Sequence, residues 1–223
     1  MPPESPAGSG QAPCGDASPS HRPLAHRLEG LNLYLVGMMG AGKSAVGRPL
    51  AAALGYRFLD ADHTIEQVAG QSIPEVFAAE GEEGFRRLET AVLDRIAGWH
   101  SLVVATGGGV VTRPENWGHL RQGVVIWLDA PEPVLLRRLA ADATPRPLMA
   151  GDDPARRLTE LLERRRPLYA QADLHVLQQD DSPEEVALQV LEALPSILRE
   201  RTAPPPQPVH LVNEDGSPVS SFN

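Results

Sequence analysis

The stretch Gly37-Met38-Met39-Gly40-Ala41-Gly42-Lys43-Ser44 constrains this chain more than any other, because it satisfies G-x-x-x-x-G-K-[ST]. An apolar run, Leu31 to Val36, leads into it, and a helical pattern starts directly after Gly42. The motif therefore asks for a strand, a tight glycine loop and a helix in that order, the opening unit of a parallel α/β sheet. Its glycines let successive backbone N–H groups converge on a phosphate, helped by the positive end of the following helix. In that setting Gly40, Ala41, Gly42, Lys43, Ser44 and Ala45 are candidates for holding a nucleotide. Lys43 would reach the β- and γ-phosphates, and the Ser44 hydroxyl would hold Mg²⁺. The plain alternative is a glycine turn feeding an ordinary helix.

Composition argues against that alternative. The chain has 20 Lys and Arg residues, and Lys43 is the only lysine among them. Most surface cation positions accept either residue, so a bias to arginine costs them little. A compact ammonium under a phosphate loop is different, since a planar guanidinium is too large for it. The one exception to the bias sits where the chemistry forbids the exchange.

The rest of the composition sets bounds. An apolar content of 42% supplies a substantial core, and a net charge of −9 argues against a nucleic-acid or membrane-surface partner. Cys14 is the only cysteine, which excludes an internal disulfide and suits a reducing, cytoplasmic setting. No apolar run reaches the roughly 18 residues that span a bilayer. Residues 1–29 and 201–223 are rich in Pro, Ser and Gly and read as a disordered leader and tail around a folded domain at 30–200. Within that domain five apolar runs alternate with longer amphipathic segments. The runs are Leu31–Val36, Tyr56–Leu59, Leu102–Ala105, Val124–Leu128 and Leu174–Leu177. Helices are expected near Lys43–Leu54, Asp62–Ala69, Pro74–Ala97, Pro131–Ala141, Pro154–Ala170 and Pro183–Leu198, with Ser72 and Glu75 as a capping box. The alternation predicts an α/β/α fold, a five-stranded parallel sheet with helices on both faces.

In such a fold ligands collect at the carboxyl ends of the strands. The second run ends in Asp60-Ala61-Asp62 and the third in Thr106-Gly107-Gly108-Gly109. Asp60 and Asp62 sit two apart in a strand-to-helix turn, so one can face a metal and the other a substrate hydroxyl; alternatively, one of them is a helix N-cap. The glycines are either a flexible turn or a place where ligand touches backbone. Arg86 and Glu89 are one helical turn apart and share a face. Arg164-Arg165-Arg166 closes another helix, where such runs are usually solvated. Between them residues 142–154, with Arg146 and three prolines, read as a lid that lowers an arginine onto a transferring phosphate.

Together these pieces resemble the shikimate kinases, small P-loop enzymes that transfer the γ-phosphate of ATP to the 3-hydroxyl of shikimate. The resemblance rests on Gly37–Ser44, Phe58-Leu59-Asp60-Ala61-Asp62 with Ile65-Glu66, and Gly81-Glu82-Glu83-Gly84-Phe85-Arg86. It also rests on Ala105-Thr106-Gly107-Gly108-Gly109, Arg146-Pro147-Leu148 and Arg165-x-Pro-Leu-Tyr169, all in family order over about Leu31 to Leu198. It implies ATP and Mg²⁺ as cofactors, with Ser44 and Asp60 on the metal and Lys43, Asp62 and Arg146 as the catalytic set. It implies shikimate contacts from Asp62, Arg86, Gly107, Gly108, Gly109 and Arg165, with Phe77, Phe85 and Pro147 walling the carbocycle. Arg138 falls where the family places a cation near the adenine, and Arg146 closes over the phosphates. A monomer acting on small molecules, in the pathway to aromatic amino acids, is the corresponding expectation. A gluconate-type kinase and a kinase-like binding protein without catalysis are the rival readings.

Overall fold

The computed structural model describes residues 22–142 and 153–198. Five short strands, β1 (Leu33–Val36), β2 (Arg57–Asp60), β3 (Leu102–Ala105), β4 (Val124–Asp129) and β5 (Leu174–Leu177), form one sheet in the order β2-β3-β1-β4-β5. Every neighbouring pair is parallel. The chain leaves β1 for the edge strand β2, returns to β3 beside β1, and then crosses to β4 on the other side. β1 is thus flanked by strands whose connections run in opposite directions, the arrangement that opens a crevice at the carboxyl ends.

All residues of β1, β3 and β4 are buried, as a parallel sheet covered on both faces requires. The strand period of two divides the core. Leu33 and Leu35 pack with α1 (Arg22–Leu28), α2 (Lys43–Leu54) and α8 (Pro183–Ala193) on one face. Tyr34 and Val36 pack with α3 (Ala61–Ala69), α4 (Ile73–Ala97) and α5 (Pro114–Leu120) on the other. Two further helices are α6 (Glu132–Ala141) and α7 (Pro154–Tyr169). Helix α7 gives Leu158 and Leu162 to the first cluster and Tyr169 to the second, so it is anchored in both layers.

The five strands fall where the apolar runs predict them, to within two residues at any end. The capping box ahead of α4 forms, with Glu75 accepting from the Ser72 backbone N–H at 2.7 Å. Three differences are informative. The irregular leader expected through residue 29 is wrong at its end: α1 is helical, with Leu24 and Leu28 buried and Arg27 donating to the Leu198 carbonyl at 3.0 Å. A Pro- and Ser-rich context masked a short amphipathic turn that gains its stability only from packing. Helix α5 was not anticipated either, because seven residues are too few for a period to register. Helix α8 stops at Ala193 and tightens into a 3-10 turn at Leu194–Ser196, where Pro195 has no N–H for the helical ladder. The tail beyond 198, the leader before 22, and Arg146, Pro147 and Leu148 of the expected lid lie outside the described residues.

Candidate active site

The ends of β1, β2 and β3 meet around a cleft of about 340 Å³ lined by Gly42, Lys43, Ser44, Asp60, Asp62 and Gly108, among others. The loop after β1 is shaped by glycine where it must be. Gly37 has φ +142°, and a side chain there would collide with the Leu128 carbonyl. Gly42 is left-handed at φ +83° and caps α2 without a side chain, leaving the first N–H groups of the helix to whatever occupies the cleft. Lys43 Nζ donates to the Gly37 and Met38 carbonyls at 2.9 and 3.0 Å, which holds the ammonium inside the curl of the loop.

Asp60 is the α3 N-cap, one of its two sequence readings, and its other oxygen faces Ser44. Its Oδ1 accepts from the backbone N–H of Asp62 and His63 as the α3 N-cap, and its Oδ2 accepts from the Ser44 hydroxyl at 2.5 Å. Two hard oxygen donors therefore meet beside the phosphate loop. Among the described residues there is no cluster of three or more His, Cys, Asp or Glu able to cage a metal alone. That donor set suits Mg²⁺, which takes one or two protein oxygens and fills its octahedron with water and phosphate.

Asp62 is different. Its Oδ1 is buried with no hydrogen-bond partner, and burial lifts its carboxyl from the ordinary 3.8 to about 6. The Lys43 cation pulls the other way, while Asp60 and Glu89 add to the rise. A carboxylate held ready to accept a proton near neutral pH has the character of a general base.

Helix α4 supplies the second wall. Its helical geometry breaks at Gly81, φ +69° and ψ −176°, and restarts so that Phe85, Arg86 and Glu89 all turn inward. Arg86 is buried and pairs with Glu89 at 2.7 Å and with the more exposed Glu82 at 3.2 Å. Arg86 Nε and Glu89 Oε1 nevertheless remain unpartnered, and burial raises the Glu89 carboxyl above its usual range although Arg86 opposes this. Phe77 packs on Phe85 with ring centroids 4.7 Å apart. Of the three consecutive arginines in α7, only Arg165 is buried. Its Nη1 donates to the Gly108 carbonyl at 3.2 Å, joined there by the Tyr169 hydroxyl. Tyr169 is buried against Trp127, and that burial pushes its phenol up to about 12, so it stays a donor.

The three glycines after β3 have unequal work. A side chain at Gly109 would strike the Arg86 guanidinium, and one at Gly107 would come within 2.7 Å of Glu89 Oε1 and 2.9 Å of Asp62 Oδ1. At Gly108 the nearest atom would be the Met39 nitrogen at 3.3 Å, which is tight without a collision. The triplet expected as bare backbone for a ligand thus makes room first for Arg86, Glu89 and Asp62. Arg138, expected near an adenine, reaches the Gln178 side chain at 3.1 Å and the Gly40 carbonyl at 3.5 Å. Gln178 was not singled out from sequence, and only its place one residue after the fifth apolar run could have marked it. Tyr169 stood in a quoted motif without a role.

Comparison with known proteins agrees with this geometry. The sequence profile of the family described as "Shikimate kinase" matches residues 39–195. The chain is 62% identical over 183 residues to the shikimate kinase of Synechococcus sp. (strain RCC307), covering 82% of this chain and 94% of that one. It is 54% identical over 190 residues to the shikimate kinase of Prochlorococcus marinus (strain MIT 9313), covering 85% and 97% respectively. Among solved structures it superposes on the Acinetobacter baumannii shikimate kinase in complex with shikimate, with a TM-score of 0.74 and 40% identity over 77% of this chain and 96% of that chain.

Proposed function

The chain belongs to the shikimate kinase family, and we propose the following division of labour among its residues. The reaction is transfer of the γ-phosphoryl group of ATP to the 3-hydroxyl of shikimate. The observation that carries the substrate assignment is the pair of buried arginines, Arg86 and Arg165, which with the half-buried Asp62 surround the Gly107–Gly109 turn beside the phosphate loop.

Arg86 and Arg165 hold the substrate carboxylate, a task suited to planar guanidinium forks in a buried site. Glu89 keeps Arg86 in place. Asp62 accepts the hydroxyl proton through its unpartnered Oδ1 and aligns the oxygen for in-line attack. Lys43 and the first N–H groups of α2 meet the phosphate charge that spreads over the equatorial oxygens in the transition state. Ser44 and Asp60 hold Mg²⁺, which when bound neutralises phosphate charge. Arg146, expected from the sequence to join the catalytic set, lies outside the described residues. The protein acts as a cytoplasmic monomer; among the described residues no helix is long and apolar enough to cross a membrane.

ATP consumption measured with shikimate and gluconate side by side tests this. Turnover with shikimate alone supports it. Turnover with gluconate makes the chain a gluconate-type kinase, and none with either makes it a binding protein. The single lysine gives a second check. An amine-directed reagent has two targets, Lys43 and the N-terminal amine, so activity should fall in proportion to Lys43 modification and Mg-ATP should slow the loss. Full Lys43 modification with activity intact would remove the phosphate-loop assignment.

A further inference from the structure

We propose that Gln178 is a positioning residue of the nucleotide site, fixing through one buried amide both the peptide plane at Ala41–Gly42 and the guanidinium of Arg138. Gln178 follows β5 directly, is 1% exposed, and is locked in register by its own backbone N–H donating to the Asp129 carbonyl at 2.8 Å. Its Nε2 donates to the Ala41 carbonyl at 2.6 Å and its Oε1 accepts from Arg138 Nη1 at 3.1 Å. Both partners belong to the expected nucleotide site.

The amide has only one workable orientation. Flipping it would set its NH₂ against the guanidinium and its oxygen against the Ala41 carbonyl, two donors facing each other and two acceptors facing each other. The contact with Ala41 has a directional consequence. In a trans peptide the carbonyl and the following N–H point opposite ways. Drawing the Ala41 carbonyl toward Gln178 therefore turns the Gly42 N–H away from it, at the residue that caps α2 in a left-handed conformation. A phosphate loop works through the aim of such N–H groups. Arg138 extends the link, because the same Nη1 also approaches the Gly40 carbonyl at 3.5 Å. The edge strand β5 thus sets loop geometry from beneath, on the side of the sheet away from the Asp62, Arg86 and Arg165 cluster.

This rests on the nucleotide reading of the loop, which wild-type protein tests first: binding of ADP by calorimetry supports that reading, and no binding overturns it together with the proposal. Gln178→Met keeps the volume and removes both hydrogen bonds. It should weaken ADP binding and raise the KM for ATP by about tenfold, the range for leaving a buried acceptor unpaired, with shikimate affinity within about twofold of wild type. Gln178→Glu keeps the acceptor for Arg138 but places an oxygen against Ala41. Its ADP affinity, relative to wild type at the same pH, should recover as pH falls from 8 to 5, because a protonated carboxyl again donates. A residue that merely fills space would give no such recovery. ADP and shikimate affinities falling together, both staying unchanged, or neither variant folding would each overturn the proposal.

Discussion

Asp62 has a pKa that makes opposite demands on stability and on activity. Its folded value near 6 lies above the ordinary 3.8 because burial disfavours the charged form. Between those values the native state retains a proton that the unfolded chain has lost, so this group's contribution to stability falls as pH rises from about 3.8 through about 6. The cost of ionising it above that window is on the order of 3 kcal/mol at one pKa unit per 1.36 kcal/mol. Asp62→Asn should therefore melt at a higher temperature than wild type at pH 8, with the difference vanishing near pH 4. The same variant should lose roughly a hundredfold or more in turnover while still binding ADP. In wild type kcat/KM should rise with pH through about 6. A variant less stable at pH 8, or one with normal turnover, would return Asp62 to a capping or packing role. Arg86→Lys keeps the charge and loses the fork, so shikimate binding should weaken by about 1.5–3 kcal/mol with ADP binding spared; calorimetry with each ligand decides it.

The turn from β3 into the 3-10 segment Val110–Thr112 and the restart of α4 act as one device. The helix restarts after Gly81 with Arg86 and Glu89 on its inner face, and the glycines opposite leave the volume those side chains fill. Gly109→Ala should displace the Arg86 guanidinium and weaken shikimate binding by about tenfold, as overpacking of about 1–3 kcal/mol would. Gly108→Ala should do less, since its new methyl group is tight against the Met39 nitrogen at 3.3 Å but does not strike the guanidinium. Equal effects at the two positions, measured by shikimate titration, would mean that the triplet serves ligand contact and not side-chain room. Helix α7 follows the same logic by rotation. Successive residues point about 100° apart around a helix, so burying Arg165 leaves Arg164 and Arg166 exposed. Arg166 then turns to Asp129 and the face of Trp127.

At the scale of the molecule, α1 ties the start of the described chain to its end. Leu24 and Leu28 are buried in the same core as α2 and α8, and Arg27 donates to the carbonyls of Pro195 and Leu198. A chain beginning at residue 30 should therefore lose stability even though every candidate catalytic residue is retained. Fully burying a leucine contributes roughly 1.5–3 kcal/mol, so removal of α1 should lower stability by about 3 kcal/mol or more in urea denaturation. A chain beginning at residue 22 should keep wild-type stability. Equal midpoints for the chains starting at 22 and 30 would show that α1 contributes no net stability.

Local chemistry made much of this protein legible before any coordinates. The loop Gly37–Ser44 can be read because its function is backbone geometry, and glycine spacing encodes that directly. The five strands can be read because a sheet buried on both faces needs continuous apolar runs. Asp60, Asp62 and the glycine triplet stand out because strand ends in such sheets are where ligands gather. What stayed hidden depends on partners distant in sequence. That Arg165 and not its neighbours is buried follows from how α7 lies across both layers. That Gly107 and Gly109 serve Asp62, Glu89 and Arg86 follows from the approach of α3 and α4 to the β3 turn. Gln178 braces Ala41 across 137 positions of sequence, and α1 is held by a core it does little to announce. Sequence periodicity reports which face of an element is apolar, whereas only packing decides which atom meets which, and there the tertiary structure alone gave the answer.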